Sequence, residues 1–184
     1  MDQLLKKSKK FKREADGLLE ESKLLDILSK YGEVKLTGSY VYNLMMSGDI
    51  DIEVYGDFTR EKAQGILNDL ISRTSFTGYM FFDWVKYEQP KWPKGYYIGF
   101  KQIMPGHQNQ WKIDIWFMKE NRNNSDKYFD KLSNIDDETK EIILKLKEHI
   151  KSTNWQADSM QIYDAVLDHD IKSVEEFEGY LANR

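Results

Sequence analysis

The chain has 184 residues, of which 40% are hydrophobic and 32% are charged; its formal net charge is −4 and it has no cysteine. This size and composition are typical of a soluble globular protein with one domain, or with one domain and a helical appendage. The lack of cysteine excludes disulfides and thiolate metal sites. No long apolar run or secretory signal is visible, so we expect a cytoplasmic protein with no membrane partner.

Positive charge is concentrated near the N-terminus. Residues 1–13 hold six basic side chains against one acid, so the rest of the chain is acidic. An acidic body disfavours a broad nucleic-acid-binding surface, because affinity for a polyanion depends on neutralising its phosphates. The basic segment is either one solvated face of a helix or a contact for RNA or another anion.

The first half of the chain alternates helices with short strands. Apolar side chains recur there at helical spacing or alternate as in a strand. The predicted elements are a helix over 2–30, a strand over 34–36, a helix over 39–46, a strand over 50–55 and a helix from Thr59 to about 72. Asp16–Gly17 is a point where the first helix could bend. The N-terminus of the helix over 39–46 would face any phosphate held at the preceding turn.

The second half is predicted to hold further strands and then only helices. The strands are expected over 79–88, 96–104 and 111–118, with the last two forming an antiparallel hairpin, and the helices over 136–151, 157–168 and 173–181. A polar segment over 121–125 is the best candidate for a linker. We therefore predict an α/β (α+β) protein, with a mixed β-sheet flanked by helices over 1–120 and a C-terminal helical segment over 121–184.

Two carboxylates lie two residues apart, one just before the predicted strand over 50–55 and one within it. Successive strand side chains point to opposite faces, so Asp49 and Asp51 share one face while Ile50 and Ile52 pack on the other. Like charges side by side repel, and a strand does not gain stability from them. A divalent cation would make the arrangement favourable, because hard cations such as Mg²⁺ take oxygen ligands.

A third carboxylate follows in the strand over 111–118. The alternation there places Lys112, Asp114 and Trp116 on one face and the apolar side chains on the other. If this strand lies beside the first, Asp114 joins the pair. Three converging carboxylates fit a two-metal site for in-line displacement at phosphorus.

In order and spacing, Gly38-Ser39, Asp49-Ile50-Asp51 and Asp114 resemble the motifs of the polymerase-beta-type nucleotidyltransferase superfamily. The chain resembles a small stand-alone member of this superfamily, similar to antibiotic-type adenylyltransferases. The resemblance implies that Asp49 and Asp51 ligate two Mg²⁺ ions and that Asp114 completes this site and helps to deprotonate the acceptor. It also implies that Gly38 and Ser39 hold the phosphates of the nucleotide.

Other residues near these motifs have two interpretations each. Lys112 either binds nucleotide phosphate or pairs with a carboxylate. Glu53 is expected at a solvated strand end, with a fourth acidic position in the site as the alternative. Three tryptophans of the central strands and loops are expected to be core residues rather than a binding platform: Trp84, Trp92 and Trp116.

The predicted function is metal-dependent transfer of an NMP group, most simply AMP from ATP, to a hydroxyl acceptor with release of pyrophosphate. A small molecule such as an antibiotic is the first candidate acceptor. The alternatives are a toxin–antitoxin-type enzyme that modifies protein or tRNA, a non-catalytic nucleotide-binding interaction module, and, more weakly, a metal-dependent phosphohydrolase. The sequence does not fix the acceptor, the base preference or the oligomeric state.

Overall fold

The strands of the protein build one mixed sheet flanked by helices, as the sequence predicts. We describe a computed structural model, which covers residues 2–103, 110–119, 127–153 and 156–183. Within these residues the sheet has five strands: β1 (Glu33–Thr37), β2 (Gly48–Tyr55), β3 (Gly78–Asp83), β4 (Tyr96–Ile103) and β5 (Gln110–Met118). The helices are α1 (Asp2–Ser22), α2 (Leu24–Leu28), α3 (Gly38–Val41), α4 (Arg60–Arg73), α5 (Phe129–Ser133), α6 (Asp137–Ser152), α7 (Ser159–His169) and α8 (Val174–Ala182).

The strand order is β1-β2-β5-β4-β3, and only the pair β2 and β5 is parallel among these strands. Ile50 and Ile52 on β2, with Ile113 and Ile115 on β5, are fully buried in one hydrophobic cluster. Helices α1, α2 and α4 supply the other side of that cluster. The alternation of apolar and polar residues in the strands therefore leaves the opposite sheet face for polar side chains.

The first helix breaks later than expected. It runs unbroken through Asp16 and Gly17, and the chain turns instead at Lys23, which has φ 52° and separates α1 from α2. Ala15 and Leu18 are both fully buried, so core packing on each side of Gly17 keeps the helix continuous.

Two further elements are shorter than predicted. Helix α3 ends after four residues, because Asn43 adopts a left-handed conformation with φ 57° and the next residues are buried. It is too short to present a helix dipole to a phosphate, which corrects that expectation. Strand β3 ends at Asp83, whose side chain accepts hydrogen bonds from the backbone N–H groups of Val85 and Lys86 and so starts a turn.

The capped helices begin where the sequence predicts. The Thr59 side chain accepts a hydrogen bond from the backbone N–H of Lys62 at the start of α4, and Ser173 and Glu176 form the predicted capping box of α8. The expected hairpin is confirmed by the antiparallel pairing of β4 with β5. Its tip at 104–109 and the polar segment at 121–125 lie outside the described residues.

The C-terminal helices form a second hydrophobic cluster with part of the N-terminal half. This cluster joins residues of α5 to α8 with Tyr42, Leu44 and Met46, which lie between α3 and β2. Leu4 and Leu5 of α1 pack against the same cluster. The helices therefore cover the chain just before the carboxylates of β2. No helix among the described residues combines the length and the apolarity that crossing a membrane requires.

Candidate active site

The structure brings the three predicted carboxylates together. Asp49 and Asp51 lie on β2, Asp114 lies on β5, and Asp51 and Asp114 are direct partners across the parallel pair. One oxygen from each of the three side chains lies within 4.8 Å of the other two. The parallel pairing of β2 and β5 is what places the two strands' acidic positions at the same level of the sheet.

The environment of the cluster disfavours the ionised forms of Asp49 and Asp51. Burial and the neighbouring carboxylates of Asp49 and Asp114 raise the pKa of Asp51 to about 8. Burial likewise raises the pKa of Asp49, although the nearby ammonium of Lys112 opposes the shift. A bound cation would reverse both effects, since it stabilises the ionised carboxylates.

The donor set fits a hard divalent cation. Asp49 Oδ1 is buried and has no hydrogen-bond partner among the described residues. It lies 3.9 Å from Lys112 Nζ, which is beyond hydrogen-bond distance. Buried carboxylate oxygens are normally hydrogen-bonded or bound to a metal, so this oxygen is a candidate metal ligand with Asp51 and Asp114.

Two neighbours fix the carboxylate of Asp114. Lys112 donates one hydrogen bond to it, and the Tyr97 hydroxyl donates another over 2.6 Å. Tyr97 lies two residues before Gly99, which is the partner of Asp114 on β4. A Cβ atom on Gly99 would lie 2.4 Å from the Tyr97 hydroxyl, so this glycine makes room for the contact.

Sequence reasoning identified Lys112 but missed Tyr97. The phosphate-binding role of Lys112 stays a prediction.

Gly38 and Ser39 lie at the end of β1, directly beside the acidic cluster. Thr37 is the cross-strand partner of Asp51, so the turn that follows it reaches the carboxylates. Gly38 has φ +68°, and a Cβ atom there would lie 2.1 Å from Asp51 Oδ2. Only glycine meets both conditions without strain or collision.

A pocket with two lysines opens next to Ser39 and Asp49, with a volume of about 330 Å³. We call it the lysine pocket and define it by Ser39, Ser47, Asp49, Lys147, Lys151 and Ser159. Lys147 Nζ donates to the Leu44 carbonyl over 3.1 Å and Lys151 Nζ donates to the Met46 carbonyl over 3.2 Å. Helix α6 thereby brings positive charge against the loop that precedes β2.

Lys147 is the most perturbed cation of the pocket. Burial lowers its pKa to about 8, although the charges of Asp51 and Asp49 oppose the shift. Sequence reasoning missed it, although a signal existed: Lys147 interrupts the apolar face of α6 between Ile143 and Ile150. A lysine at an otherwise apolar helical position indicates a buried acceptor or a ligand.

The other side of the triad is aromatic. Five rings form a closed chain of neighbours, each ring contacting two others, with centroid separations between 5.1 and 6.4 Å. We call this set the aromatic shelf: Phe82, Trp84, Trp92, Tyr97 and Trp116. None of the five belongs to either hydrophobic cluster of the described chain. The expectation that the three tryptophans are core residues is therefore wrong.

Glu53 also differs from expectation. It is only 2% exposed, so it does not lie at a solvated strand end. The Tyr55 hydroxyl donates a hydrogen bond to its carboxylate. Its partner on β1 is Lys35, two positions from the partner of Asp51. The hydrogen bond from Tyr55 on the same strand thus holds this carboxylate.

No protein-family model matches the chain, and no curated protein matches it. Solved structures do. A structure of the Cid1 poly(U) polymerase with Mg and 3′-dATP bound is 20% identical over 79% of this chain, with a TM-score of 0.55. A structure of a cytoplasmic RNA terminal U-transferase is 22% identical over 88% of this chain, with a TM-score of 0.54. The chain spans 43% and 47% of these two proteins.

This likeness concerns the fold. The five-stranded mixed sheet and its flanking helices match the nucleotidyltransferase-like folds of these two proteins, which confirms the predicted fold class. The narrower resemblance to antibiotic-type adenylyltransferases is not supported by these neighbours. The chain therefore has a nucleotidyltransferase-like fold, with three carboxylates gathered on the sheet face that its large core leaves open.

Proposed function

We propose that this protein transfers a nucleotidyl group from an NTP to a hydroxyl acceptor and releases pyrophosphate. The observation that carries the proposal is the meeting of Asp49, Asp51 and Asp114 within 4.8 Å, with one buried oxygen lacking a partner among the described residues. Burial, together with repulsion among the acids, disfavours the ionised forms of Asp49 and Asp51 when no cation is bound, which a site built only for stability would avoid.

Asp49, Asp51 and Asp114 would hold two Mg²⁺ ions. When bound, such ions neutralise the triphosphate and favour in-line attack at the α-phosphorus. Ser39 and the two lysines of the lysine pocket would bind the β- and γ-phosphates, because the pocket offers hydroxyl and ammonium donors beside Asp49. Gly38 lets the backbone lie close to Asp51, so a side chain does not separate the phosphates from the carboxylates.

In the proposed reaction the acceptor oxygen forms a bond to the α-phosphorus. The bond from that phosphorus to the bridging oxygen of pyrophosphate breaks, and the acceptor proton passes to a carboxylate oxygen of Asp114. Tyr97 and Lys112 would hold this carboxylate in position through the hydrogen bonds described above. Fixed geometry of this kind lowers the entropy that must be lost in the transition state.

The acceptor class is the open part of the proposal. Both solved neighbours are named for action on RNA or for synthesis of poly(U), which supports an RNA acceptor over an antibiotic. ATP is the first nucleotide to test, followed by UTP. The non-catalytic interaction module remains the alternative, and it predicts nucleotide or metal binding without turnover.

The proposal is tested by incubating the protein with each NTP labelled at the α-phosphate, Mg²⁺ and a mixture of RNA and small hydroxyl acceptors. We expect label in an acceptor and one pyrophosphate released per transfer. Asp51→Asn should abolish transfer, because it removes a charge from the cluster at nearly constant volume. Asp57→Asn is the matched control, since the Asp57 side chain is 87% exposed and pairs with Lys119. Equal transfer by wild type and Asp51→Asn would overturn the proposal.

A further inference from the structure

The aromatic shelf is an exposed, apolar surface that contacts the candidate site. Phe82 is 41% exposed and Trp92 is 46% exposed. The shelf lines a cavity of about 390 Å³ whose wall also includes Lys112 and Asp114. Stability does not require exposed tryptophans at this place, and large exposed apolar patches mark binding surfaces.

We infer that the aromatic shelf binds the terminal bases of a single-stranded polynucleotide acceptor and presents its 3′-hydroxyl to Asp114. The inference rests on the proposed function and names the acceptor that the same site uses. The inference does not depend on the N-terminal basic segment. That segment belongs to α1, which lies on the other side of the hydrophobic cluster formed by the sheet with α1, α2 and α4.

The ring geometry suits planar bases. Phe82 and Trp84 are nearly parallel, with an interplanar angle of 10°, and Trp84 and Trp92 follow at 27° and Trp92 and Trp116 at 30°. Rings that share one orientation give a stepped surface on which successive bases can stack. Such stacking tolerates any base sequence, because every base has a π-face.

Charge around the shelf also fits a polynucleotide. Residues 76–119 hold six lysines against three acids, although the whole chain has a net charge of −4. Lys91 Nζ lies 5.2 Å from the centre of the Trp92 ring, and Lys101 is the cross-strand partner of Lys112 on the sheet face that bears Asp114. Three of these lysines form ion pairs: Lys94 with Glu88, Lys112 with Asp114 and Lys119 with Asp57. Lysine beside aromatic rings is nevertheless the combination that single-stranded nucleic acids require.

The aromatic shelf and the lysine pocket reach the acidic cluster from different sides. The lysine pocket reaches Asp49 from the side of Ser39, whereas the shelf reaches Asp114 from strands β3 and β4. A nucleotide bound through its phosphates at the lysine pocket would leave the shelf free. The acceptor hydroxyl would then approach the α-phosphorus from the side of Asp114, which is the carboxylate proposed to take its proton.

The test is binding of 5′-labelled oligouridylate and oligoadenylate, as RNA and as DNA, measured by fluorescence anisotropy without NTP. We expect Trp92→Ala to weaken binding about 5- to 100-fold, the loss that removal of one base–aromatic stack causes. Trp92→Phe should recover most of the affinity. Tyr79→Ala is the matched control, because Tyr79 is a 56% exposed aromatic residue next to Met80 of β3 but outside the shelf. Its variant should bind like wild type.

Calorimetric titration of the same variants with ATP in the presence of Mg²⁺ separates this inference from the proposed function. Normal ATP binding with weakened oligonucleotide binding in Trp92→Ala supports the inference. Loss of ATP binding with intact oligonucleotide binding would assign the shelf to the base of the NTP and overturn it. Equal oligonucleotide affinity in wild type, Trp92→Ala and Tyr79→Ala would also overturn it, whatever the transfer assay gives. Asp51→Asn should bind oligonucleotide normally, so loss of transfer activity can be distinguished from loss of oligonucleotide binding at the shelf.

Discussion

At the scale of single residues, Gly38 shows how closely the site is packed. Replacing it with alanine would bring Cβ to 2.1 Å from Asp51 Oδ2 and force a side chain into φ +68°. We expect Gly38→Ala to lose Mg²⁺ binding and about 1–3 kcal/mol of unfolding free energy, the usual cost of a non-glycine residue in such a conformation. Calorimetric titration with Mg²⁺ and urea denaturation measure the two effects.

The matched control is Gly65→Ala in the middle of α4, where an added Cβ meets nothing within 4 Å. This variant should bind Mg²⁺ normally and gain about 0.5–1 kcal/mol of stability, because alanine loses less backbone entropy in a helix. Normal Mg²⁺ binding by Gly38→Ala would show that the contact with Asp51 is not needed for the site.

The raised pKa of Asp51 predicts how stability changes with pH in the absence of metal. Between about pH 4 and pH 8 the folded protein keeps a proton on Asp51 that the unfolded chain has released. The unfolded state therefore binds fewer protons, and the free energy of unfolding falls as the pH rises through this range. Asp51→Asn should lack this component, since asparagine does not titrate there.

Melting temperatures measured from pH 5 to pH 8, with EDTA or with Mg²⁺, test this prediction. We expect Mg²⁺ to raise the melting temperature of the wild type more at pH 8 than at pH 6, because protons and cations compete for the same carboxylates. A wild-type curve parallel to that of Asp51→Asn in EDTA would contradict a raised pKa.

Residue-level reasoning found the carboxylates because alternation along a strand fixes which side chains share a face. It did not find Lys147 or Tyr97. Both lie far from the carboxylates of β2 in the sequence. Lys147 reaches the cluster because α6 packs against the loop before β2, and Tyr97 reaches it because Gly99 on β4 leaves room for its hydroxyl. Contacts of that kind depend on which elements meet, which periodicity does not encode.

At the scale of elements, α6 links the C-terminal helices to the site. Lys147→Met keeps most of the buried side-chain stem but removes the charge and the hydrogen bonds to the Leu44 carbonyl and the Tyr163 hydroxyl, so we expect a loss of about 1–3 kcal/mol of stability. ATP affinity in the presence of Mg²⁺ should fall about 10- to 100-fold, as for loss of a hydrogen bond to a charged group. Calorimetry with ATP measures it.

Lys145→Met provides the matched control on the same helix, because Lys145 is exposed and does not line the lysine pocket. It should bind ATP like wild type. Equal ATP affinity in both variants would remove Lys147 from the proposed phosphate site and leave Ser39 and Lys151 as its donors.

Element boundaries were predictable where a cap or a core face marks them. Thr59 and Ser173 mark the starts of α4 and α8 in the sequence, and the structure confirms both. Helix α3 and strand β3 are shorter than their apolar patterns predict. In both places a local turn ends the element: Asn43 in a left-handed conformation, and Asp83 bonded to the backbone that follows it.

At the scale of the whole molecule, a buried carboxylate ties the C-terminal helices together. Asp164 on α7 is 8% exposed and accepts hydrogen bonds from the hydroxyls of Tyr128 and Tyr180, each over 2.5 Å. Lys127 donates a third over 3.2 Å. We expect Asp164→Ala to lower the free energy of unfolding by about 2–4 kcal/mol, because it leaves buried hydroxyl groups without their acceptor.

Urea denaturation monitored by circular dichroism measures this loss. Asp137→Ala is the control, since that side chain is 70% exposed and pairs with Lys140 at the surface; its cost should stay below about 1 kcal/mol. Similar values for the two variants would show that the Asp164 network does not stabilise the helical cluster.

The overall architecture followed from the sequence in outline. Alternating strands and helices predicted the mixed sheet, and the apolar faces predicted which side of it is buried. The division into residues 1–120 and 121–184 stays a prediction. The second hydrophobic cluster joins Leu4, Tyr42 and Leu44 to helices α5 to α8. That packing has no local sign in the sequence, because these residues are far from the helices along the chain.

The most direct test of the proposed activity is calorimetric titration of ATP into the protein with and without Mg²⁺, repeated on Asp51→Asn. We predict saturable ATP binding to the wild type only when Mg²⁺ is present, and little or none to Asp51→Asn. Binding of ATP that is equally strong without metal, or in Asp51→Asn, would contradict a metal-dependent nucleotide site at Asp49, Asp51 and Asp114.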